Sequence, residues 1–311
     1  MTKVFIDGSA GTTGLRIYER LNGRTDIELI RLTEELRKDA AARKEAINAA
    51  DVVFLCLPDS AAIESAALCE NPHTVIIDTS TAHRVSDDWT YGFPEKRGQR
   101  EKIASSKRIA NPGCHATGFI ALIAPLVESG LLKADACLGA FSMTGYSGGG
   151  KKMIAEYASP ENAARLEAPR PYGLTQCHKH LPEMVRVCGL AQAPHFIPVV
   201  APYYAGMEVM VPLFSGDVKG SMQQICELYA DYYTGKLVRF APQMDEGGFL
   251  SAGAFAGRDD LQIGVVGNEE RIVLVSRFDN LGKGASGAAI QNLNIVLGID
   301  ETTGLNWEGT V

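Results

Sequence analysis

Short apolar runs recur through the first third of the chain, at Lys3 to Asp7, Ile27 to Leu32, Asp51 to Leu57, Thr74 to Ser80 and Arg108 to Ala110. A strand with one wet face alternates apolar and polar residues. A run without alternation predicts a strand buried on both faces, as in a parallel sheet covered by helices. The stretches between them, Gly11 to Leu21, Glu34 to Asn48 and Ser60 to Glu70, have helical composition. This β-α-β-α series predicts a Rossmann-like, doubly wound α/β domain. After residue 115 the texture changes. A helix is expected over His115 to Leu132, then β-rich stretches at Ala136 to Tyr146, Phe196 to Phe214 and Ile263 to Phe278. Ile225, Leu228, Tyr229 and Tyr232 repeat at the spacing of one amphipathic helix laid on a sheet. Together these predict an α+β second domain, and Gly282 to Gly298 closes the chain as a further helix.

Composition narrows the classes. The chain has 311 residues, 46% hydrophobic and 22% charged, which excludes a disordered chain and leaves room for about two domains. Its longest apolar stretch, Ala116 to Val127, is shorter than the roughly 20 residues that span a bilayer, so no membrane partner is expected. Asp7 interrupts the N-terminus before a signal-peptide core forms, and a cytoplasmic protein is expected. The net charge of −7, without a dense basic run, argues against nucleic acid. Seven cysteines lie scattered with no C-x-x-C pair, so neither a disulfide framework nor a structural metal is expected.

Gly8, Gly11 and Gly14 punctuate the turn between the first strand and its helix, with Ser9 and Thr12 among them. Glycines there admit a pyrophosphate to the backbone, and a helix N-terminus attracts anionic oxygens; a plain tight turn is the competing reading. At the end of the second strand, where an acidic residue would hold an unphosphorylated ribose, Arg31 and Thr33 stand instead. A cation there favours NADP over NAD, with a solvated charge as the alternative.

Asn111-Pro112-Gly113-Cys114-His115 joins a strand to the long helix, on the sheet edge where α/β folds bind ligands. A thiol at a helix N-terminus is biased toward thiolate, which makes Cys114 the candidate nucleophile, whereas Cys56, inside an apolar run, reads as a small buried hydrophobe. Its proton partner is sought in Cys177-His178-Lys179-His180-Leu181-Pro182-Glu183. If that segment is extended, the i, i+2 spacing puts His178 and His180 on one side; a surface loop with His180 capped by Glu183 is the alternative. His115 ranks below His180, because adjacent side chains diverge.

These residues, with Asp78-Thr79-Ser80 and Arg84, Tyr91 to Glu95, Gly145 to Lys152, Asp279 to Gly287 and Asp300 to Leu305, resemble the short-form (type 2) N-acetyl-gamma-glutamyl-phosphate reductases among the aspartate-semialdehyde dehydrogenase-like reductases. The resemblance implies NADPH-dependent reduction of N-acetyl-L-glutamyl 5-phosphate to the 5-semialdehyde and phosphate, in arginine biosynthesis. It implies that Cys114 forms a thioester and that His180 moves protons, with His178 and Glu183 orienting it or the substrate. Arg84, Asn111, Ser147, Lys151 and Lys152 are then candidates for the substrate's anionic groups, and Ser80, Asn280 and Gly287 for cofactor positions. The implied layout is an NADP-binding domain at 1–114, a catalytic and oligomerisation domain at 115–281, and a helix in 282–311 that returns to the cofactor domain. A homodimer or homotetramer is expected, its interface drawing on apolar segments such as Ala205 to Phe214. His115, where many members carry Tyr, and Lys152, in a motif that often reads Arg-Lys, depart from the pattern.

Overall fold

The computed structural model describes residues 1–307 in two units. The first comprises Met1–Pro94, Gly98–Pro112 and Ala285–Leu305. Its elements are β1 (Thr2–Asp7), α1 (Thr12–Leu21), β2 (Ile27–Ile30), α2 (Ala40–Ala49), β3 (Val52–Leu55), α3 (Asp59–Ala67), β4 (Val75–Asp78), β5 (Thr90–Tyr91), α4 (Gln99–Ser105) and β6 (Arg108–Ala110), and the helix Gly287–Val296 joins them. The strands form one parallel sheet in the order β2-β1-β3-β4-β6-β5. Alternate residues of each strand enter two separate cores. Val4, Ile6, Val52, Phe54 and Ile77 pack with Ile17, Leu21 and Ile290 on one face, and Phe5, Val53, Leu55 and Ile76 pack with Ile47 and Ala62 on the other. This two-sided burial is why the central strands β3 and β4 read as apolar runs without alternation.

Differences from the sequence reading have local causes. The helix expected from Glu34 to Asn48 is broken at Asp39, whose side chain accepts the Ala42 N–H at 2.8 Å and starts α2 afresh after a short turn at Leu36–Lys38. Strand β5 and helix α4 are too short and polar to show a period.

The second unit comprises Glu95–Arg97, Gly113–Gly284 and, at the end of the described chain, Asn306 and Trp307. It holds α5 (Cys114–Glu128), β7 (Gly139–Gly145), α6 (Gly150–Ala158), α7 (Ala163–Leu166), β8 (Arg170–Pro171), α8 (Leu181–Cys188), β9 (His195–Ala201), β10 (Met207–Phe214), α9 (Met222–Tyr232), β11 (Val238–Phe240), β12 (Leu261–Gly267) and β13 (Arg271–Phe278). The mixed sheet runs β11-β12-β13-β10-β7-β9-β8. The single β-rich stretch expected over Phe196 to Phe214 is two strands. They part before Gly206, whose φ of +118° suits glycine and whose added Cβ would stand 2.5 Å from the Ala252 carbonyl oxygen.

Helix α5 is buried from His115 to Leu126 and carries Pro125 inside it. A proline has no N–H for the carbonyl four residues back, here that of Ala121. The hydroxyl of Tyr233, just beyond α9, donates to that carbonyl at 2.7 Å, so the orphaned acceptor is satisfied. The helix stops at Glu128, short of the expected Leu132, and Gly130 follows at φ +75°. Gly118 lets α5 lie close on the sheet: an added Cβ would stand 2.6 Å from Val209, 2.7 Å from the Ser276 hydroxyl and 2.8 Å from Phe278.

In an open helix Gly→Ala is stabilising by ~1 kcal/mol. At Gly118 overpacking reverses the sign, and Gly118→Ala is expected to cost about 1–3 kcal/mol. Urea denaturation of the two proteins checks it; a midpoint at or above wild type would mean that the sheet yields.

Candidate active site

In the first unit, Gly8 follows β1 with φ +87°, and a Cβ there would stand 2.3 Å from the Cys56 carbonyl oxygen. At Gly14 it would stand 2.5 Å from the Gly8 oxygen. Gly11 donates its N–H to that same oxygen at 3.0 Å, and a Cβ on it would meet nothing closer than 3.5 Å. Backbone packing therefore requires Gly8 and Gly14, and Gly11 leaves open the space before α1. No side chain caps α1, so its first N–H groups remain for an anion. Thr12 is the first residue of that helix, with its hydroxyl buried.

A cleft of ≈ 730 Å³ adjoins this turn, lined by Gly8, Ser9 and Ala10 and by Arg31, Arg37 and Lys38 among others. The Arg31 guanidinium lies 5.2 Å over the Tyr18 ring and donates to Asn22 at 3.3 Å. Arg37 pairs with Glu34, and Arg43, also on the cleft, pairs with Asp7 at 2.7 Å. Neither Arg31 nor Lys38 forms an ion pair among the described residues. The turn and its open helix end fit the pyrophosphate of a dinucleotide. The sequence does not single out Arg37, Lys38 and Arg43, which stand beyond the second strand in a stretch read as helical.

Other candidates in this unit are engaged by the protein itself. Ser80 donates its hydroxyl to Asp78 at 2.7 Å, and the same carboxylate meets His83 Nδ1 at 2.7 Å. Arg84 is buried and donates to the carbonyls of Asn111 at 2.9 Å and Thr79 at 3.1 Å. The Asn111 amide donates to the Ala285 carbonyl at 3.0 Å and accepts from Asn292 at 3.2 Å. Gly287 begins the last helix.

The second unit gathers the reactive side chains. Cys114 is the first residue of α5 and is half-buried, and Gly113 caps the helix with backbone alone. The Gly113 N–H donates to Glu183 Oε2 at 3.1 Å, and Glu183 Oε1 lies 3.9 Å from His180 Nε2. Gly284 completes the fit, since a Cβ there would stand 2.9 Å from that of Cys114. The histidine segment is a turn and not an extended stretch: His180 has helical φ and ψ and leads into α8, whose first turn carries Glu183. The turn still brings the rings of His178 and His180 edge to face at 4.8 Å. Nor does divergence of neighbouring side chains carry His115 away. Its ring lies 5.5 Å from that of His180 and 5.6 Å from that of His178.

His115 Nδ1 meets Ser142 Oγ at 2.6 Å, and Nε2 meets the Tyr172 hydroxyl at 2.6 Å. Tyr172 was not legible beforehand; nothing in its immediate sequence marks it. Burial first, and the neighbouring His178 second, push the His115 pKa down to about 3. Burial first and Lys179 second lower His178 to about 4. Both are neutral at ordinary pH. Asn280, grouped above with cofactor positions, lies in this unit, where its amide donates to Ser147 Oγ at 3.0 Å and accepts from the Gly206 N–H at 3.0 Å. Lys151 and Lys152 open α6 exposed to solvent. Among the described residues no group of three or more His, Cys, Asp or Glu is placed to hold a metal, and no helix is long and apolar enough to cross a membrane.

Residues 114–280 match the family model described as the semialdehyde dehydrogenase dimerisation domain, and residues 31–106 match the semialdehyde dehydrogenase NAD binding domain. Among solved structures, aspartate semialdehyde dehydrogenase II from Vibrio cholerae superposes with a TM-score of 0.72 over 96% of this chain and 98% of its own, at 17% identity. The Candida albicans aspartate semialdehyde dehydrogenase, solved with NADP, gives 0.64 over 96% and 98%, at 14% identity. The fold and the matched domains are those of a semialdehyde dehydrogenase-type oxidoreductase. A Nostoc protein named N-acetyl-gamma-glutamyl-phosphate reductase 2 is 46% identical, with 97% of this chain and 99% of the relative aligned. The chain belongs to the N-acetyl-gamma-glutamyl-phosphate reductase family.

Because folded His115 and His178 take up protons only near pH 3 and 4, and an unfolded imidazole does so near 6.5, their contribution to stability is intact above pH 6.5. It is lost as the pH falls through the window from 6.5 to about 4 and below. The melting temperature is expected to drop across that window, and less steeply in His178→Asn. Parallel pH profiles for the two proteins would refute the assignment.

Proposed function

We propose that the protein reduces N-acetyl-L-glutamyl 5-phosphate to N-acetyl-L-glutamate 5-semialdehyde and phosphate, with NADPH as the reductant, as a step of arginine biosynthesis. The observation that carries this reading is Cys114 at the start of α5, with the Gly113 N–H beside it held by Glu183 and His180 against the same carboxylate. The Cys114 sulfur attacks the acyl carbon, the bond to the phosphate oxygen breaks, and inorganic phosphate leaves a thioester. A reduced dinucleotide, when bound, supplies the hydride that converts the thioester to a thiohemiacetal. His180 takes the thiol proton and returns one at collapse, when the carbon–sulfur bond breaks to free the aldehyde. Glu183 orients His180 through its Oε1 and the start of α5 through its Oε2.

Lys151 and Lys152, exposed behind the Gly148 to Gly150 turn, are assigned to the substrate's anionic groups, with Ser147 beside them. Arg84 and Asn111, whose donors serve backbone carbonyls, act by shaping the strand ends. Arg31, with Lys38, selects the 2′-phosphate. The protein works as a homodimer or homotetramer. Val209 faces α5, so the alternate residues Met210 and Phe214 lie on the other face of the sheet, in register with Phe141 and Arg271. Phe214 there is 68% exposed.

The test is the reverse reaction, NADPH formation from NADP, phosphate and N-acetylglutamate semialdehyde, with aspartate semialdehyde as control. Wild type is expected to turn over the acetylated substrate and Cys114→Ala neither. Preference for aspartate semialdehyde would overturn the substrate assignment, and an active Cys114→Ala would overturn the thioester. In the same assay Arg31→Ala is expected to raise KM for NADP about tenfold, the size of one lost charge-assisted contact of ~1.4 kcal/mol, and to leave KM for NAD unchanged. Equal effects on both cofactors would mean that Arg31 does not read the phosphate.

A further inference from the structure

The chain Ser142–His115–Tyr172 has a direction that burial and hydrogen bonding together determine. His115 is buried, 2% exposed, and neutral, so one ring nitrogen donates and the other accepts. Ser142 Oγ is fully buried on β7, and among the described residues its hydroxyl bonds only to His115 Nδ1. If Nδ1 carried the proton, the serine O–H would have no acceptor, which costs about 1–3 kcal/mol for a buried donor. The half-buried Tyr172 hydroxyl, in contrast, can give its proton to solvent, so the serine donates to Nδ1 and the imidazole proton sits on Nε2. From there it points at the Tyr172 oxygen 2.6 Å away, which accepts it. Among the described residues the Tyr172 hydroxyl makes no other hydrogen bond. Its own proton is thereby turned away from His115 and left for something that binds.

What binds is defined by the neighbourhood. The Tyr172 ring lies 5.7 Å from that of His178, which in turn lies 4.8 Å from that of His180, and His115 is the residue next to Cys114. Burial, reinforced by the Cys114 charge, raises the Tyr172 pKa, so the phenol keeps its proton and acts as a donor.

We propose that Tyr172 donates a hydrogen bond to the substrate oxygen that becomes negative when the Cys114 sulfur attacks the acyl carbon, and that His115 and Ser142 are positioning residues that hold it to that role. The proposal rests on the thiol chemistry above. When the sulfur–carbon bond forms, the carbonyl π pair moves onto oxygen, and the phenol stabilises that charge while its proton stays on the tyrosine; when the pair returns, the leaving group departs. His115 in this arrangement moves no net proton. The proton traffic belongs to His180.

The experiment compares wild type with Tyr172→Phe, Ser142→Ala and Cys114→Ala in the reverse assay. Alongside it, the rate at which iodoacetamide alkylates Cys114 is followed by mass spectrometry of the peptide that contains it. Alkylation needs the thiol but forms no oxyanion. Tyr172→Phe is expected to lower kcat by about 10²-fold, the usual cost of one oxyanion donor, with KM and the alkylation rate near wild type. Ser142→Ala, which frees the other tautomer, is expected to lower kcat by a smaller factor with KM unchanged. Thermal melts verify that each variant is folded. A Tyr172→Phe enzyme with wild-type kcat would overturn the proposal. So would a loss confined to KM, or one matched by slower alkylation, since either would give the tyrosine a docking or thiol-shaping role. Turnover by Cys114→Ala would instead remove the thiol chemistry on which the proposal rests, and the two failures are distinguishable.

Discussion

The second unit depends on where α5 begins. Its first turn is held from three sides: the Gly113 N–H by the Glu183 carboxylate, Cys114 by the bare backbone of Gly284, and the following turn by the close seat of Gly118 on the sheet. Each replaces a contact that a larger or less polar residue would obstruct. A helix buried along most of its length cannot shift to relieve strain, so the position of the thiol is set by packing and not by its own side chain. The same burial makes an interior proline tolerable, because a tyrosine hydroxyl from outside the helix replaces the missing N–H.

Around that helix start, burial and hydrogen bonding divide the histidines into separate duties. His115 is sealed between a serine and a tyrosine and stays neutral through ordinary pH, so it can orient but not titrate. His180 faces a carboxylate that also fixes the backbone beside the cysteine. One glutamate thus couples the histidine's orientation to the helix start, and movement of either would disturb the other. A few packed side chains thus hold the thiol and the imidazole within narrow tolerance.

In the first unit the constraint is backbone proximity. Gly8 and Gly14 are required because carbonyl oxygens of the protein itself occupy the space a side chain would need, whereas Gly11 and the uncapped start of α1 leave room for a ligand. The cations beyond β2 are mostly satisfied by their own partners, Arg37 by Glu34 and Arg43 by Asp7, and Arg31 is steadied on Tyr18. Charge presented on such a braced side chain loses less entropy on binding than charge on a free one.

The alternation of apolar runs and helical stretches was enough to read the doubly wound sheet, because strands buried on both faces and joined by helices lose the in-out alternation of a half-wet strand. The glycine turn and Cys114 were legible for a similar reason: their chemistry lies in residue type and in place at a strand-to-helix junction, both of which are local. The break at Asp39, the split before Gly206 and the turn through His178 to His180 were not, since each is decided by a cap or a close approach that adjacent residues do not announce. Tyr172 shows the limit most plainly. Its partner His115 lies 57 positions away and Ser142 a further 27 from that histidine, and only the packing of β7 and α5 brings a buried serine, a neutral imidazole and a phenol into one line. Residue types set what chemistry was possible, but tertiary structure decided which groups were buried and which were paired. Those two conditions govern whether a side chain carries a charge, holds a proton or merely fills space.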